Sequence, residues 1–339
     1  MSPQKKIKNI LSGLLGGLGL TLGAGVAAAG GWIAYSNSKI NHHLPLPEAV
    51  EADRQVFTGK TTGKISYYVD RQVSGRPLVL VHSINAAASA YEMRNLFNHY
   101  RARRPVFAID LPGFGFSDRT RRTYSPYLYI DALDNLLNTQ VGEAADVVAL
   151  SLGSEFTARV ALEKPDRFHS LSFISPSGLN APEKLRASQQ ARFNGTSDSL
   201  YTTFSTPLWS RAFYDLIATR RSIEFFLKQS FVGPVPADLV EYSYLTSHQP
   251  GAHYAPVAFV SGVLFTPAIC QTVYELLKTP TLVIYDRDAF VRFDGLPTLL
   301  QKNPCFQAER IAPTLGLPQF EKLPETINAL DTFWQGLEA

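Results

Sequence analysis

A serine stands between small residues at the end of an apolar run, in the sequence ALSLG at residues 149–153. The preceding residues, DVVAL, are typical of a buried strand, and the segment after the serine has helical character. A sharp turn from strand to helix strains the serine backbone and requires small residues two positions to either side. Ala149 and Gly153 meet that requirement. The pattern therefore predicts that Ser151 is a nucleophile.

Two further motifs follow the neighbouring predicted strands. HSINAAASAYE, residues 82–92, comes after the apolar run PLVLV, and DLPGFGFSD, residues 110–118, comes after PVFAI. Together with the serine motif, they resemble the α/β-hydrolase superfamily over about residues 60 to 337. The resemblance implies a mainly parallel sheet with helices on both faces and a helical cap inserted before the penultimate strand.

The resemblance also assigns roles around the serine. The backbone N–H of Leu152 becomes one oxyanion donor, and the N–H of Ile84 becomes the other, with Ser83 as the alternative. The acid is expected after the strand TLVIYD. Asp288 fits that position best, and Asp286 is the alternative. His82 matches a family histidine that shapes the oxyanion loop.

The general base is absent from its usual place. The family carries a histidine near a Leu-Pro in the segment that corresponds to residues 311–334, where this chain has Gly316 and Gln319. His253 is the last histidine in the chain. The base is therefore unknown, and the candidates are His248 and His253 in the expected cap, although both also fit an ordinary structural role.

Apolar runs alternate with helical segments along most of the chain, which predicts a mainly parallel sheet covered on both faces. Between residues 180 and 278 no strand pattern occurs, and aromatic residues recur at helical spacing. Adjacent His42 and His43 lie in a proline-containing linker and are expected to be solvated. The predicted divisions are an N-terminal tip and anchor (1–38), a linker (39–55), a core (56–179 and 279–339) and a cap (180–278).

The N-terminal segment differs from the rest of the chain. Lys5, Lys6 and Lys8 precede residues 9–38, which contain no charged side chain. This length suffices for a transmembrane helix, predicted over residues 10–34, and the lysines place the N-terminus in the cytoplasm and the main domain outside it. A cleaved signal peptide is the alternative. Glycines spaced four apart would permit helix–helix association in the membrane.

Composition excludes several functions. A formal net charge of +3 over 339 residues gives no support for nucleic-acid binding. The two cysteines, Cys270 and Cys305, fit neither a disulfide framework nor a metal site, and no metal or cofactor is expected. The sequence favours a membrane-anchored hydrolase that cleaves an ester-type bond of a small apolar substrate. The alternative is a catalytically lapsed relative that binds a ligand or a membrane partner, so whether the chain is an enzyme stays open.

Overall fold

The computed structural model describes residues 22–180 and 196–338. Its centre is an eight-stranded sheet with the order β1-β2-β4-β3-β5-β6-β7-β8. β2 pairs antiparallel with β1 and with β4, and all other neighbours are parallel. The strands are β1 (Asp53–Gly59), β2 (Gly63–Asp70), β3 (Leu78–Val81), β4 (Val106–Ile109), β5 (Ala145–Leu150), β6 (Phe168–Ile174), β7 (Thr281–Tyr285) and β8 (Phe306–Arg310). The predicted mainly parallel sheet is confirmed.

The central strands are buried on both faces. In β3, Leu78 and Leu80 join one hydrophobic cluster, whereas Val79 and Val81 join the cluster on the opposite face, and all four are 0% exposed. Successive side chains of a strand point to opposite faces, so a strand covered on both sides must be apolar throughout. This explains the continuous apolar runs in the sequence.

Helices surround the sheet and form the segment between β6 and β7. They are α1 (Leu22–Lys39), α2 (Arg94–Tyr100), α3 (Pro126–Asn135), α4 (Gly153–Glu163), α5 (Thr196–Phe204), α6 (Ser210–Ile217), α7 (Arg220–Lys228), α8 (Ala237–Ser247), α9 (Tyr254–Ser261), α10 (Ile269–Thr272), α11 (Leu296–Lys302), α12 (Pro318–Glu321) and α13 (Leu323–Glu338). Helices α3 and α4 cover one face of the sheet, and α2 and α13 cover the other.

The predicted linker was too long at its C-terminal end. β1 begins at Asp53, inside residues 39–55, and pairs with β2 along its whole length. The sequence DRQVFTG gives little sign of a strand because β1 is an edge strand with mostly exposed side chains. Edge strands need no continuous apolar run, so hydrophobic patterning does not detect them.

Helices α5–α10 form the cap, which lies against loops that follow the carboxyl ends of β3 and β4. The Tyr214 hydroxyl donates to the carbonyl of Ala86 at 2.6 Å. The Arg119 guanidinium donates to the carbonyl of Thr246 at 2.6 Å. The cap is therefore held over the edge of the sheet where the predicted site residues lie.

Helix α1 packs against cap helix α6. The indole N–H of Trp32 donates to the Ala212 carbonyl at 2.7 Å, and the Ser36 hydroxyl donates to Oδ2 of Asp215 at 2.6 Å. His42 was expected to be solvated, but its Nε2 lies 3.0 Å from Oδ1 of Asp215. The linker therefore runs along the cap, because a buried carboxylate needs hydrogen-bond partners.

The predicted transmembrane segment, residues 10–34, lies partly outside the described residues. Within residues 22–180 and 196–338, no helix is both long and apolar enough to cross a membrane. Residues 10–21 belong to the part of the chain that the structure does not describe. Membrane insertion thus remains a proposal.

Candidate active site

Ser151 lies at the turn between β5 and α4 with an unusual backbone conformation. Its φ is 51°, a region that non-glycine residues rarely adopt. Its N–H donates to the carbonyl of Ile174 at 2.9 Å, which holds the turn against the end of β6. The predicted strand–turn–helix is therefore present. A serine in this conformation projects from the carboxyl edge of the sheet.

Gly153 brings this turn against the loop after β3. A Cβ atom at Gly153 would lie 2.5 Å from the carbonyl oxygen of His82, too close for any side chain. The backbone contact explains why the serine motif has glycine at this position. It also brings the start of α4 beside the loop that was expected to supply the second oxyanion donor.

A buried glutamate fixes that loop. Glu92 accepts hydrogen bonds from the N–H of Ser83 at 2.8 Å, from the Ser83 hydroxyl at 3.0 Å and from the side-chain amide of Asn85 at 2.6 Å. Because the N–H of Ser83 is occupied, Ile84 is the better oxyanion donor. Among the described residues, the N–H groups of Ile84 and Leu152 take part in no hydrogen bond, so both are free to act as the predicted oxyanion donors.

His82 has a structural role. Its ring is fully buried, its Nε2 accepts the N–H of Leu111 at 2.9 Å, and its Nδ1 lies 2.5 Å from the Ser83 carbonyl. Burial lowers the pKa of His82 to about 3. The neutral ring therefore joins the loops after β3 and β4 and is not available as a base.

Asp286 and Asp288 have different surroundings. Asp286 accepts hydrogen bonds from Arg310 at 2.8 Å and from the N–H of Thr314 at 3.0 Å. Burial alone would raise the pKa of Asp286, but the hydrogen bonds from Thr314 and Arg310 lower it. Asp286 thus ties β7 to the segment after β8, which favours Asp288 over Asp286 as the predicted acid.

Gly316 occupies the position beside Asp288. A Cβ atom at Gly316 would lie 2.6 Å from Oδ2 of Asp288, and the φ of Gly316 is +116°. Oδ1 of Asp288 accepts the N–H groups of Phe290 at 2.6 Å and Val291 at 2.9 Å, which fixes the carboxylate. Of the two positions considered for the missing histidine, Gly316 is therefore the one next to the acid, and its backbone has a conformation that favours glycine.

The side chain of Gln319 forms its hydrogen bond with the backbone of Glu92. Its side chain is fully buried, and its amide Nε2 donates to the carbonyl of Glu92 at 3.3 Å. Its Oε1 has no hydrogen-bond partner among the described residues. Gln319 supports the same glutamate that fixes the oxyanion loop, and its side-chain hydrogen bond within the described part of the chain is to Glu92.

The cap histidines have partners of their own. Nδ1 of His248 lies 2.8 Å from the Tyr244 carbonyl, and the ring packs on the Tyr244 ring with centroids 4.0 Å apart. His253 packs on Tyr254 at 4.0 Å and lines a cavity of about 230 Å³ between the linker and the cap. Burial lowers the pKa of His253 to about 4. In the ranges that the structure describes, neither ring forms a hydrogen bond with Ser151.

Two buried acids that the sequence did not single out shape the site. Glu92 is one. Asp110, the first residue of the predicted loop motif 110–118, accepts the N–H groups of Ala90 and Phe116, both at 3.0 Å. Burial raises the pKa of Asp110 to about 6. A Cβ at Gly115 would lie 1.9 Å from the Asp110 carboxyl carbon, so the glycine-rich spacing of that motif was a usable signal.

No metal-ligating arrangement is apparent in the described ranges. Groups of three or more His, Cys, Asp or Glu side chains that could hold a metal ion do not occur there. Cys270 and Cys305 are both free thiols. The candidate chemical groups at this edge of the sheet are therefore the Ser151 hydroxyl, the N–H groups of Ile84 and Leu152, and the Asp288 carboxylate.

A model of the alpha/beta hydrolase family matches residues 78–322, more than half of the chain. The chain belongs to the alpha/beta hydrolase family. Among curated relatives, an uncharacterized hydrolase of Bacillus subtilis (strain 168), YugF, is 33% identical over 118 residues, which are 33% of this chain and 41% of that protein. The 2-(acetamidomethylene)succinate hydrolase of Mesorhizobium japonicum is 23% identical over 207 residues, 61% of this chain and 67% of that protein.

Solved structures share the fold. A serine hydrolase involved in carbazole degradation has a TM-score of 0.66 at 16% identity and covers 84% of this chain and 98% of its own. A membrane phospholipase A described as a bacterial virulence factor also has a TM-score of 0.66, at 18% identity, and covers 98% of this chain and 99% of its own. At these identities the similarity establishes the fold alone.

Proposed function

We propose that this α/β-hydrolase-fold protein binds a small apolar ester-type compound at Ser151 and hydrolyses it slowly, with water in place of the usual histidine base. The observation that carries the proposal is the contact at Gly316, where a Cβ would lie 2.6 Å from Oδ2 of Asp288. The nucleophile turn and the oxyanion loop are retained, whereas the base position holds glycine.

The reaction follows from these groups. The Ser151 hydroxyl attacks the ester carbonyl carbon, and its proton passes to water. The N–H groups of Ile84 and Leu152 stabilise the resulting oxyanion. The alcohol then leaves as it takes a proton from water, and a second water cleaves the acyl-serine to release the acid and restore the hydroxyl. The cap, rich in aromatic and aliphatic side chains, suits an apolar substrate.

The missing base limits the rate. A serine hydroxyl is almost fully protonated at neutral pH and is a weak nucleophile without a base. Removing one member of a catalytic triad typically lowers turnover by about 10⁴- to 10⁶-fold, and the oxyanion hole and substrate binding retain about 10³- to 10⁴-fold over water. We therefore expect turnover in this residual range.

A fluorophosphonate probe and an activated ester test the proposal on purified protein. We expect slow covalent labelling that is lost in Ser151→Ala, and p-nitrophenyl butyrate hydrolysis about 10⁴-fold or more below that of histidine-containing family members. Absence of both labelling and Ser151-dependent hydrolysis would leave a lapsed relative that merely binds a ligand. Rapid turnover abolished by His248→Ala or His253→Ala would mean that the cap supplies the base.

We also propose that residues 10–34 anchor the protein in a bilayer, with the N-terminus cytoplasmic and the main domain on the other side. The lysines at positions 5, 6 and 8 and the uncharged residues 9–38 support this orientation. The fold similarity to a membrane phospholipase A, which extends over 98% of this chain, is consistent with it. A reporter fused after Ala339 that is active in the cytoplasm alone would contradict the proposal.

A further inference from the structure

Large exposed apolar side chains are concentrated in one stretch of the cap. Among the described residues, Leu208, Trp209, Leu216, Phe225 and Val232 are between 38% and 64% exposed, and all lie within residues 208–232. Single exposed apolar residues are ordinary on protein surfaces, whereas several close together indicate a surface that binds a protein, a ligand or a membrane.

Helix α7 exposes basic and aromatic side chains on one face. Arg221, Phe225 and Lys228 are exposed and are spaced four and three residues apart, so they lie on the same side of the helix. Ile223 is buried on the opposite side. Glu224 is exposed beside this face and is the one acidic side chain within the helix. Helices bind a membrane surface through buried apolar area together with electrostatic attraction of basic side chains to anionic lipids, and this face offers both.

Helix α6 contributes two further exposed apolar side chains next to α7. Trp209 immediately precedes α6, and Leu216, seven residues later, lies on the same side of the helix axis. Ser210, Tyr214 and Ile217 are buried on the other side of the helix, and α1 packs alongside through its hydrogen bonds to the Ala212 carbonyl and the Asp215 carboxylate. Trp209 and Leu216 are thus directed away from the protein interior.

The chain itself connects this surface to the proposed anchor. Helix α1 packs on α6, and its Tyr35 is 53% exposed. Residues 22–38 of α1 belong to the uncharged sequence 9–38 that precedes the linker. The segment that we propose to enter the bilayer therefore ends beside the exposed cap residues, which identifies the partner of that surface as the same bilayer.

We propose that the outer surface of α6 and α7, formed by Trp209, Leu216, Arg221, Phe225 and Lys228, lies on an anionic bilayer. The aromatic and aliphatic side chains enter the headgroup region, and the two basic side chains contact lipid phosphates. This inference rests on the proposed anchor to bring the cap to the membrane, but it concerns a second contact made by different residues.

Depth-dependent quenching tests the contact in the full-length chain. A Cys305→Ser background, in which Cys270 is buried, receives Phe225→Cys or Val56→Cys, and each is labelled with a nitrobenzoxadiazole fluorophore. Val56 is the matched control because it is 51% exposed, close to the 55% of Phe225, and lies on β1 far from the cap in sequence. The vesicles contain phosphatidylcholine and phosphatidylglycerol in about equal amounts with a doxyl-labelled lipid.

We expect strong quenching at position 225 and none at position 56, in samples whose co-sedimentation with vesicles is measured in parallel. Protein that co-sediments without quenching at position 225 would overturn the cap contact and leave the anchor intact. Protein that neither co-sediments nor is quenched would overturn both. Equal quenching at both positions would show a non-specific association and would also overturn the inference.

The charge contribution is tested separately. Arg221→Gln and Lys228→Gln should each lower the ratio of quenched to unquenched label about fivefold, the factor expected for one basic side chain near an anionic surface. Lys60→Gln, an exposed lysine in the turn between β1 and β2, is the control and should have no effect. Unchanged quenching in both cap variants would contradict the assigned role of these charges.

Discussion

Replacing Gly316 by alanine should destabilise the protein, because both the backbone and the space at this position require glycine. The φ of +116° costs a non-glycine residue about 1–3 kcal/mol. The new Cβ would also lie 2.6 Å from Oδ2 of Asp288. This carboxylate cannot turn away without weakening its hydrogen bonds to Phe290 and Val291, each contributing about 1.5–3 kcal/mol.

Part of that loss is offset in the unfolded state. Alanine lowers the conformational entropy of the unfolded chain and thereby stabilises the fold by about 0.4–1 kcal/mol. If one carboxylate hydrogen bond is weakened, the free energy of unfolding should fall by about 2–4 kcal/mol in Gly316→Ala. Urea titration followed by circular dichroism measures this change, with thermal unfolding as a second measurement.

Gly336→Ala is the matched control. Gly336 lies near the end of α13, and a Cβ there would meet no atom within 4 Å. Alanine is favoured over glycine in helices by about 0.5–1 kcal/mol, so this variant should be neutral or slightly more stable. A Gly316→Ala protein as stable as Gly336→Ala would refute the reasoning. It would show that the base position can accept a side chain, and Gly316→His could then restore turnover.

Three further changes test other parts of the site. Gly153→Ala should lower the free energy of unfolding by about 1–3 kcal/mol in urea titration, because its Cβ would lie 2.5 Å from the His82 carbonyl oxygen. His253 has a folded-state pKa of about 4, below the unfolded value near 6.5, so stability should fall as the pH drops through this window by about 1.4 kcal/mol per pH unit. His253→Gln should reduce that slope by the contribution of about one proton. Glu92→Ala should accelerate amide hydrogen exchange at the loop after β3 and slow fluorophosphonate labelling, because three hydrogen bonds that hold the loop are lost; unchanged labelling would exclude Glu92 as a positioning residue.

The sheet was predictable because its central strands obey one rule. Strands buried on both faces must be apolar throughout, so the segments around β3 and β5 are visible in sequence as short Val- and Leu-rich runs. β1 was not predictable on that basis, since an edge strand with exposed side chains carries no such constraint. His42 was also misjudged, because its partner Asp215 lies 173 residues away in the chain.

The site was predictable where a backbone constraint limits the residue type. Glycine is required at position 153 because any side chain there would prevent a close backbone contact. That requirement made the turn at Ser151 recognisable in the sequence. Glu92 could not be identified in this way, because the sequence of a helical segment does not show whether a glutamate in it is buried or exposed. The choice between Gly316 and Gln319 likewise depended on which residue approaches Asp288, and sequence spacing does not determine that distance.

The contacts of α1 have a mechanical consequence for the cap. The cap is covalently joined to the core at its two ends, near β6 and β7, and the linker adds a third connection through Gln249, whose amide donates to the Leu44 carbonyl at 2.7 Å. The chain then continues into β1 of the core. Opening the cap as a rigid body would therefore stretch the linker or detach Trp32, Ser36 and His42 from α6. Tension applied to the N-terminal segment would therefore be transmitted to the cap before it reached the sheet.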